Sequence, residues 1–214
     1  IVQAMNGRFE QSAVAIFIAM VLDGLDGRVA RLTRTQSAFG AEYDSLSDMV
    51  SFGAAPALIV YEWALKGMGK LGWIAAFIYC VGAALRLARF NTTLEVGDKR
   101  YFQGLPSPAA AALVAGFVWI MIDQGFSGES VRWFACVLMI FAGVTMVTSF
   151  PYYSGKDINL RRSVPFIAVL GLVLAFVLVS ADPPSILLAL FLCYALSGYA
   201  TSAWRWSRRG KKSP

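Results

Sequence analysis

At 214 residues, 57% of them hydrophobic and 15% charged, the chain is too apolar and too poor in charge for a soluble domain and reads as an integral membrane protein. Its net charge of +6 gathers at the ends of apolar runs, which fits membrane orientation and anionic lipid and sets nucleic-acid binding aside. There is no histidine, so histidine-ligated zinc, Ser-His-Asp hydrolysis and a phosphohistidine intermediate are excluded, and any chemistry falls to carboxylates.

The chain opens on Ile1, a few residues ahead of a polar turn at Asn6, Gly7 and Arg8, so an earlier helix is expected before it. Apolar windows, each near the roughly 20 residues that cross a bilayer, then run over 12–31, 45–65, 71–90, 106–124, 131–149, 164–180 and 184–204. The expected architecture is all-α: a polytopic transmembrane bundle of seven visible spans, forming one domain over 1–214. Small residues recur inside the spans, as at Gly82, Ala83 and Ala84 and from Ala109 to Ala112, where they let helices approach closely. Cys80, Cys136 and Cys193 sit in apolar windows without CxxC spacing and read as small hydrophobes, with no disulfide expected. The connections at 91–105 and 150–163 are the longest on their side, basic and punctuated by proline, and are placed to line a site. Fifteen of the 19 basic residues fall on one side of the bundle, leaving Arg8, Lys66, Lys70 and Arg132 opposite. The positive-inside rule makes the rich side, and with it the C-terminus, cytoplasmic in a cell-membrane protein.

The end of the first window carries what packing alone does not call for. Asp23, Asp26, Gly27, Ala30 and Arg31 follow the i, i+3, i+4, i+7, i+8 series and lie along one helix face. Gly40, Asp44 and Asp48 repeat that phasing at i, i+4, i+8 on the next helix, and the eight residues between Arg31 and Gly40 suffice to turn the chain. Two antiparallel helices then bring four carboxylates into one small volume at the cytoplasmic end. Like charges that close are unfavourable without a cation. Oxygen donors suit Mg²⁺, Mn²⁺ or Ca²⁺, and four Asp residues are enough for two ions about 3.5–4 Å apart that clamp phosphoryl oxygens. Gly27 and Ala30 clear side-chain bulk from the same face, and Arg31 offers a planar donor fork one turn away. These parts describe a site for a pyrophosphate-bearing substrate. Arg34 and Glu42 are read instead as solvated charges.

The pattern D-x2-D-G-x2-A-R-x8-G-x3-D-x3-D, filled by Asp23, Asp26, Gly27, Ala30, Arg31, Gly40, Asp44 and Asp48, resembles the signature of the CDP-alcohol phosphatidyltransferases. The resemblance implies a membrane enzyme that displaces CMP from a CDP-linked lipid with an alcohol. It implies two divalent cations, Mg²⁺ or Mn²⁺, held by Asp23, Asp26, Asp44 and Asp48, with Asp48 also the base that takes the proton of the attacking hydroxyl. Gly27, Ala30, Arg31 and Gly40 would line the CDP-lipid. Three more stretches, DSLSDMVSFGAAPAL at 44–58, ALRLARFN at 84–91 and FQGLPSPAAA at 102–111, are similar to bacterial and archaeal members whose acceptor is L-serine. The similarity extends through PYYSGKDINLRRSVPF at 151–166. Such members usually have eight spans, and the resemblance further implies a homodimer and CDP-diacylglycerol as donor.

A serine carboxylate needs a cationic partner. Arg86 and Arg89, three residues apart at the cytoplasmic end of a span, share a face and are the first candidates. Asn91, Gln103, Lys156 and Arg161 follow on loop position and resemblance. Within the same chemistry the competing acceptors are glycerol 3-phosphate and inositol phosphate. From other classes, an ion or proton transporter would need carboxylates strung along a path across the bilayer, and a scaffold would need no metal.

Overall fold

A computed structural model describes residues 1–33, 35, 37–93, 101–153 and 166–209. Helices dominate. A short α1 (Val2–Met5) leads into α2 (Phe9–Thr33), and the chain reverses before α3 (Ala38–Asp48). Ser37 caps α3, its side-chain oxygen accepting the Gly40 amide at 3.0 Å, so the reversal ends in a fixed helix start. From Asp48 the helix continues without a break through a π-helical stretch at Met49–Ala54 into α4 (Ala55–Val60), then through a second π-helical stretch at Tyr61–Leu65. There follow α5 (Lys70–Thr93), α6 (Ser107–Asp123), α7 (Arg132–Val147), α8 (Phe166–Ala181) and α9 (Pro183–Arg209).

Each of the seven apolar windows coincides with a helical segment among the described residues. Two of these, Lys70–Thr92 and Pro183–Trp204, are long and apolar enough to cross a membrane on length and composition alone. The outer surface is apolar as well. Val173, Phe176 and Val177 on α8 and Phe134 and Val137 on α7 are exposed, an arrangement suited to lipid rather than water.

The centre of the bundle is α6, whose residues from Ala109 to Ala115 are buried. Alanine suits that place because lipid is as apolar as leucine, so helices in a bilayer associate through close packing, which small side chains permit. On one flank α6 meets α2 and α9, with Gly116 against Leu188. Beside it α5 and α7 form the most extensive seam: a Cβ on Gly82 would strike the Gly143 carbonyl, and one on Gly143 would lie 2.8 Å from the Ile78 carbonyl and the Tyr79 Cα.

The first π-helical stretch has a local cause. In an α-helix the Phe52 carbonyl would accept the amide of residue 56, but Pro56 has none, and its ring crowds that carbonyl. The widened turn makes room, and the Tyr79 hydroxyl on α5 donates to the Phe52 oxygen at 2.9 Å in a buried setting.

Two features differ from the sequence reading. The long connections are not wholly irregular: Tyr101–Gln103 (β1) and Pro151–Tyr153 (β2) pair antiparallel, Phe102 opposite Tyr152. Aromatic residues favour such pairing, but the partners are some fifty positions apart and no local pattern joins them. α9 anchors the ribbon, since the Tyr152 hydroxyl donates to Ala195 O at 2.8 Å and that of Tyr194 to Tyr153 O at 3.1 Å. Second, α5 runs to Thr93, so Asn91 belongs to its last turn rather than to a loop.

Candidate functional site

α2 and α3 bring their acidic residues together. Side-chain oxygens of Asp23 and Asp26 from α2 and Asp44 from α3 lie within 4.8 Å of one another. Asp48, one turn beyond Asp44, faces Asp23 across the helix pair, near enough for their carboxyls to influence each other. Asp23 and Asp48 are half-buried, Asp26 and Asp44 exposed, so the cluster opens outward on one side and is backed by protein on the other. The helical phasing read from the sequence holds because α3 stays regular to Asp48 and widens only from Met49.

The electrostatics are those of a site short of positive charge. Partial desolvation of its carboxyl on the protein side first, then the charges of Asp23 and Asp26, push Asp44 above its ordinary range, although the residue as a whole is exposed; Asp44 precedes the apolar window that begins at residue 45. Among the described residues Arg86 on α5 interacts attractively with Asp48, and one guanidinium does not balance four carboxylates. Oxygen donors from two helices and an excess of negative charge fit a hard divalent cation.

Beside the carboxylates, α2 is bare. Cβ atoms built on Gly24 or Gly27 would meet nothing within 4 Å, and Ala30, one turn on from Gly27, is half-buried. A helix face this open admits a polar ligand to the backbone next to the acidic cluster. Gly40 lies in the first turn of α3, where a Cβ would come 3.1 Å from the capping Ser37 oxygen, so its small size also serves the cap. The backbone of Arg31 continues the α2 face, but its side chain is outside the described residues, as are Arg34, Lys156 and Arg161.

The two arginines of α5 part company. Arg86 is buried, donates through Nη1 to Ser107 Oγ at 2.8 Å, and stacks over Phe90 with 5.4 Å to the ring centroid. Arg89 reaches the other way, donating to Val147 O at 3.3 Å, to Ser149 Oγ at 3.3 Å and to Gln103, which ties α5 to the end of α7 and to β1. Asn91 donates from Nδ2 to Ser45 Oγ at 3.0 Å, so the last turn of α5 grips the residue next to Asp44.

Several of these partners escaped the sequence reading. Ser45 lies inside the DSLSD stretch and Ser107 inside the FQGLPSPAAA stretch, but neither carried a separate signal. For Tyr79 a signal existed: a proline four residues after Phe52 leaves a carbonyl that some other group must satisfy.

Comparison with known proteins adds three findings. The family model described as CDP-alcohol phosphatidyltransferase matches residues 1–148. The chain is 34% identical over 196 residues to a Helicobacter pylori protein named CDP-diacylglycerol–serine O-phosphatidyltransferase, covering 90% of this chain and 81% of that protein. It is 37% identical over 185 residues to the protein of the same name from Methanocaldococcus jannaschii, covering 86% and 80% respectively.

Proposed function

The chain belongs to the CDP-alcohol phosphatidyltransferase family, and from that premise we propose that it transfers a phosphatidyl group from CDP-diacylglycerol to the hydroxyl of L-serine, giving phosphatidylserine and CMP. The observation that carries this reading is the convergence of Asp23, Asp26 and Asp44 within 4.8 Å, joined by Asp48, beside a helix face that glycine leaves open.

In this reading the seven helical segments cross the cell membrane with the carboxylate end and the C-terminus at the cytoplasmic face, and the chain works as a homodimer. Asp23, Asp26, Asp44 and Asp48 would hold two divalent cations, Mg²⁺ or Mn²⁺, which supply charge neutralisation to the diphosphate and to the departing CMP. The CDP group lies over the Gly27 and Ala30 face, and the acyl chains remain in lipid. Asp48 takes the proton of the serine hydroxyl as its oxygen attacks the β-phosphorus; the new P–O bond forms as the bond to CMP breaks, and the electron pair leaves with CMP. Asp48 on α3 feels both the Asp23 carboxylate and the Arg86 guanidinium, so the base has a cationic group in its surroundings.

Arg86 is assigned to the serine carboxylate: Ser107 takes one of its N–H groups, and a guanidinium carries five. Arg89 is assigned to holding the β1–β2 ribbon at the edge of the site. Asn91 keeps the turn that carries Asp44 in place. The transporter alternative loses ground because the carboxylates gather at one end of the bundle rather than along a path through it.

The test is CMP release by purified protein in detergent or liposomes with CDP-diacylglycerol and Mg²⁺ or Mn²⁺, given serine, glycerol 3-phosphate or inositol phosphate in turn. Release that requires both serine and the cation is the expected result. Release with another acceptor and not with serine moves the substrate; none with any acceptor removes the enzyme reading.

A further inference from the structure

We propose that Tyr79 is a positioning residue for Asp48, acting through the Phe52 carbonyl; this deepens the reading above and rests on its assignment of Asp48 as metal ligand and base. Asp48 is the last residue before the π-helical stretch, so the path of Met49–Ala54 sets where its carboxylate points toward Asp23, Asp26 and Asp44. In that stretch Pro56 denies Phe52 O its α-helical donor. Tyr79, fully buried, supplies the replacement at 2.9 Å. In apolar surroundings a buried tyrosine hydroxyl without an acceptor is costly, so the stretch is held in the geometry that keeps Phe52 O at the tyrosine hydroxyl.

The neighbours of Tyr79 make it a fixed reference. Behind it, Gly143 brings the α7 backbone so close that a Cβ there would lie 2.8 Å from the Tyr79 Cα, which leaves α5 no room to follow a moving partner. In front, Tyr79, Ala83 and Arg86 follow i, i+4, i+7 on one face of α5. Tyr79 meets the Phe52 carbonyl and Ala83 meets Gly53, whose Cβ would come 3.2 Å from that of Ala83, while Arg86 attracts Asp48 electrostatically. Removing the hydroxyl lets the wide turn seek another donor, and the carboxylate at its start moves relative to three others carried on neighbouring turns.

Tyr79→Phe in the full chain tests this, with Tyr152→Phe as the yardstick: Tyr152 is equally buried, and its hydroxyl donates to Ala195 O at 2.8 Å, away from α3. Both variants should lower the melting temperature by similar amounts. In Tyr79→Phe, kcat for CMP release should fall about tenfold to a hundredfold, the cost of a displacement of about 1 Å at a reacting group. KM for CDP-diacylglycerol and serine should stay within about threefold, which marks an interaction lost at the chemical step. Mn²⁺ affinity, read by electron paramagnetic resonance without turnover, should weaken about tenfold, as when a ligand loses its support. Tyr152→Phe should keep wild-type Mn²⁺ affinity, since its hydroxyl touches neither α2 nor α3. Wild-type kcat and Mn²⁺ affinity in Tyr79→Phe, or losses that only track the melting temperature in both variants, overturn the proposal. If the wild type binds Mn²⁺ but releases no CMP with any acceptor, the parent reading has failed and the Mn²⁺ comparison alone decides the placement of Asp48.

Discussion

Glycine is used in two opposite ways in this bundle. On the α5–α7 seam, Gly82 and Gly143 are small because another backbone is there: each added Cβ would run into the facing helix. On α2, Gly24 and Gly27 are small where, among the described residues, an added Cβ would meet no neighbouring element within 4 Å, beside the acidic cluster. The first pair serves packing, since helices in lipid gain little from burying apolar surface and much from close contact. The second has no packing partner, which leaves room for a ligand. A small residue in a membrane helix therefore means little until its neighbours are known.

The carboxylate face and the α5–α7 seam should fail in different ways. The largest effect belongs to Asp48→Asn, which should cut CMP release by about 10²–10⁴-fold, the usual contribution of a general base, while leaving the melting temperature at or above wild type because a like charge is relieved. Near-normal turnover in this variant would remove Asp48 from the role of base.

Next comes a pair of identical substitutions with opposite signs. Gly82→Ala forces backbones apart and should destabilise by about 1–3 kcal/mol, as overpacking does. Gly27→Ala, in open space on a helix, should stabilise by about 0.4–1 kcal/mol by restricting the unfolded chain, while raising KM for CDP-diacylglycerol. Melting curves in one detergent decide it, and shifts of the same sign in both variants would break the contrast between the two regions.

The smallest effect is on pH. Asp44 binds its proton more tightly in the folded chain than in the unfolded one, because burial and the charges of Asp23 and Asp26 raise it. The metal-free protein should therefore gain stability as pH falls from neutrality through the raised value, the gain being complete below the ordinary aspartate pKa of about 3.9. Melting temperatures in EDTA should rise on mild acidification, and saturating Mg²⁺ or Asp44→Asn should flatten the slope. An unchanged slope in Asp44→Asn would place its source elsewhere.

How far the sequence reached depended on distance along the chain. The phasing of Asp23 with Asp26, and of Asp44 with Asp48, survives intact because helical spacing is a local property. So does the reversal between them, which Ser37 closes with a bond only three residues long. The division of labour between Arg86 and Arg89 was not legible: three residues apart on one helix, they reach Ser107 on one side and Gln103, Val147 and Ser149 on the other. Asn91 looked like a loop residue because basic, polar sequence follows it, yet α5 carries on to Thr93.

By itself, then, the sequence determined a mostly helical apolar chain, its helical segments and the phasing that gathers Asp residues of α2 and α3, since composition and spacing of three or four residues suffice for those. Tertiary structure alone decided which glycines face a neighbour and which face open space. It paired Tyr101–Gln103 with Pro151–Tyr153 and set the Tyr79 hydroxyl against the Phe52 carbonyl. Those contacts join residues 27 or more positions apart, and no local periodicity encodes which distant group will satisfy a carbonyl that proline has left without its amide.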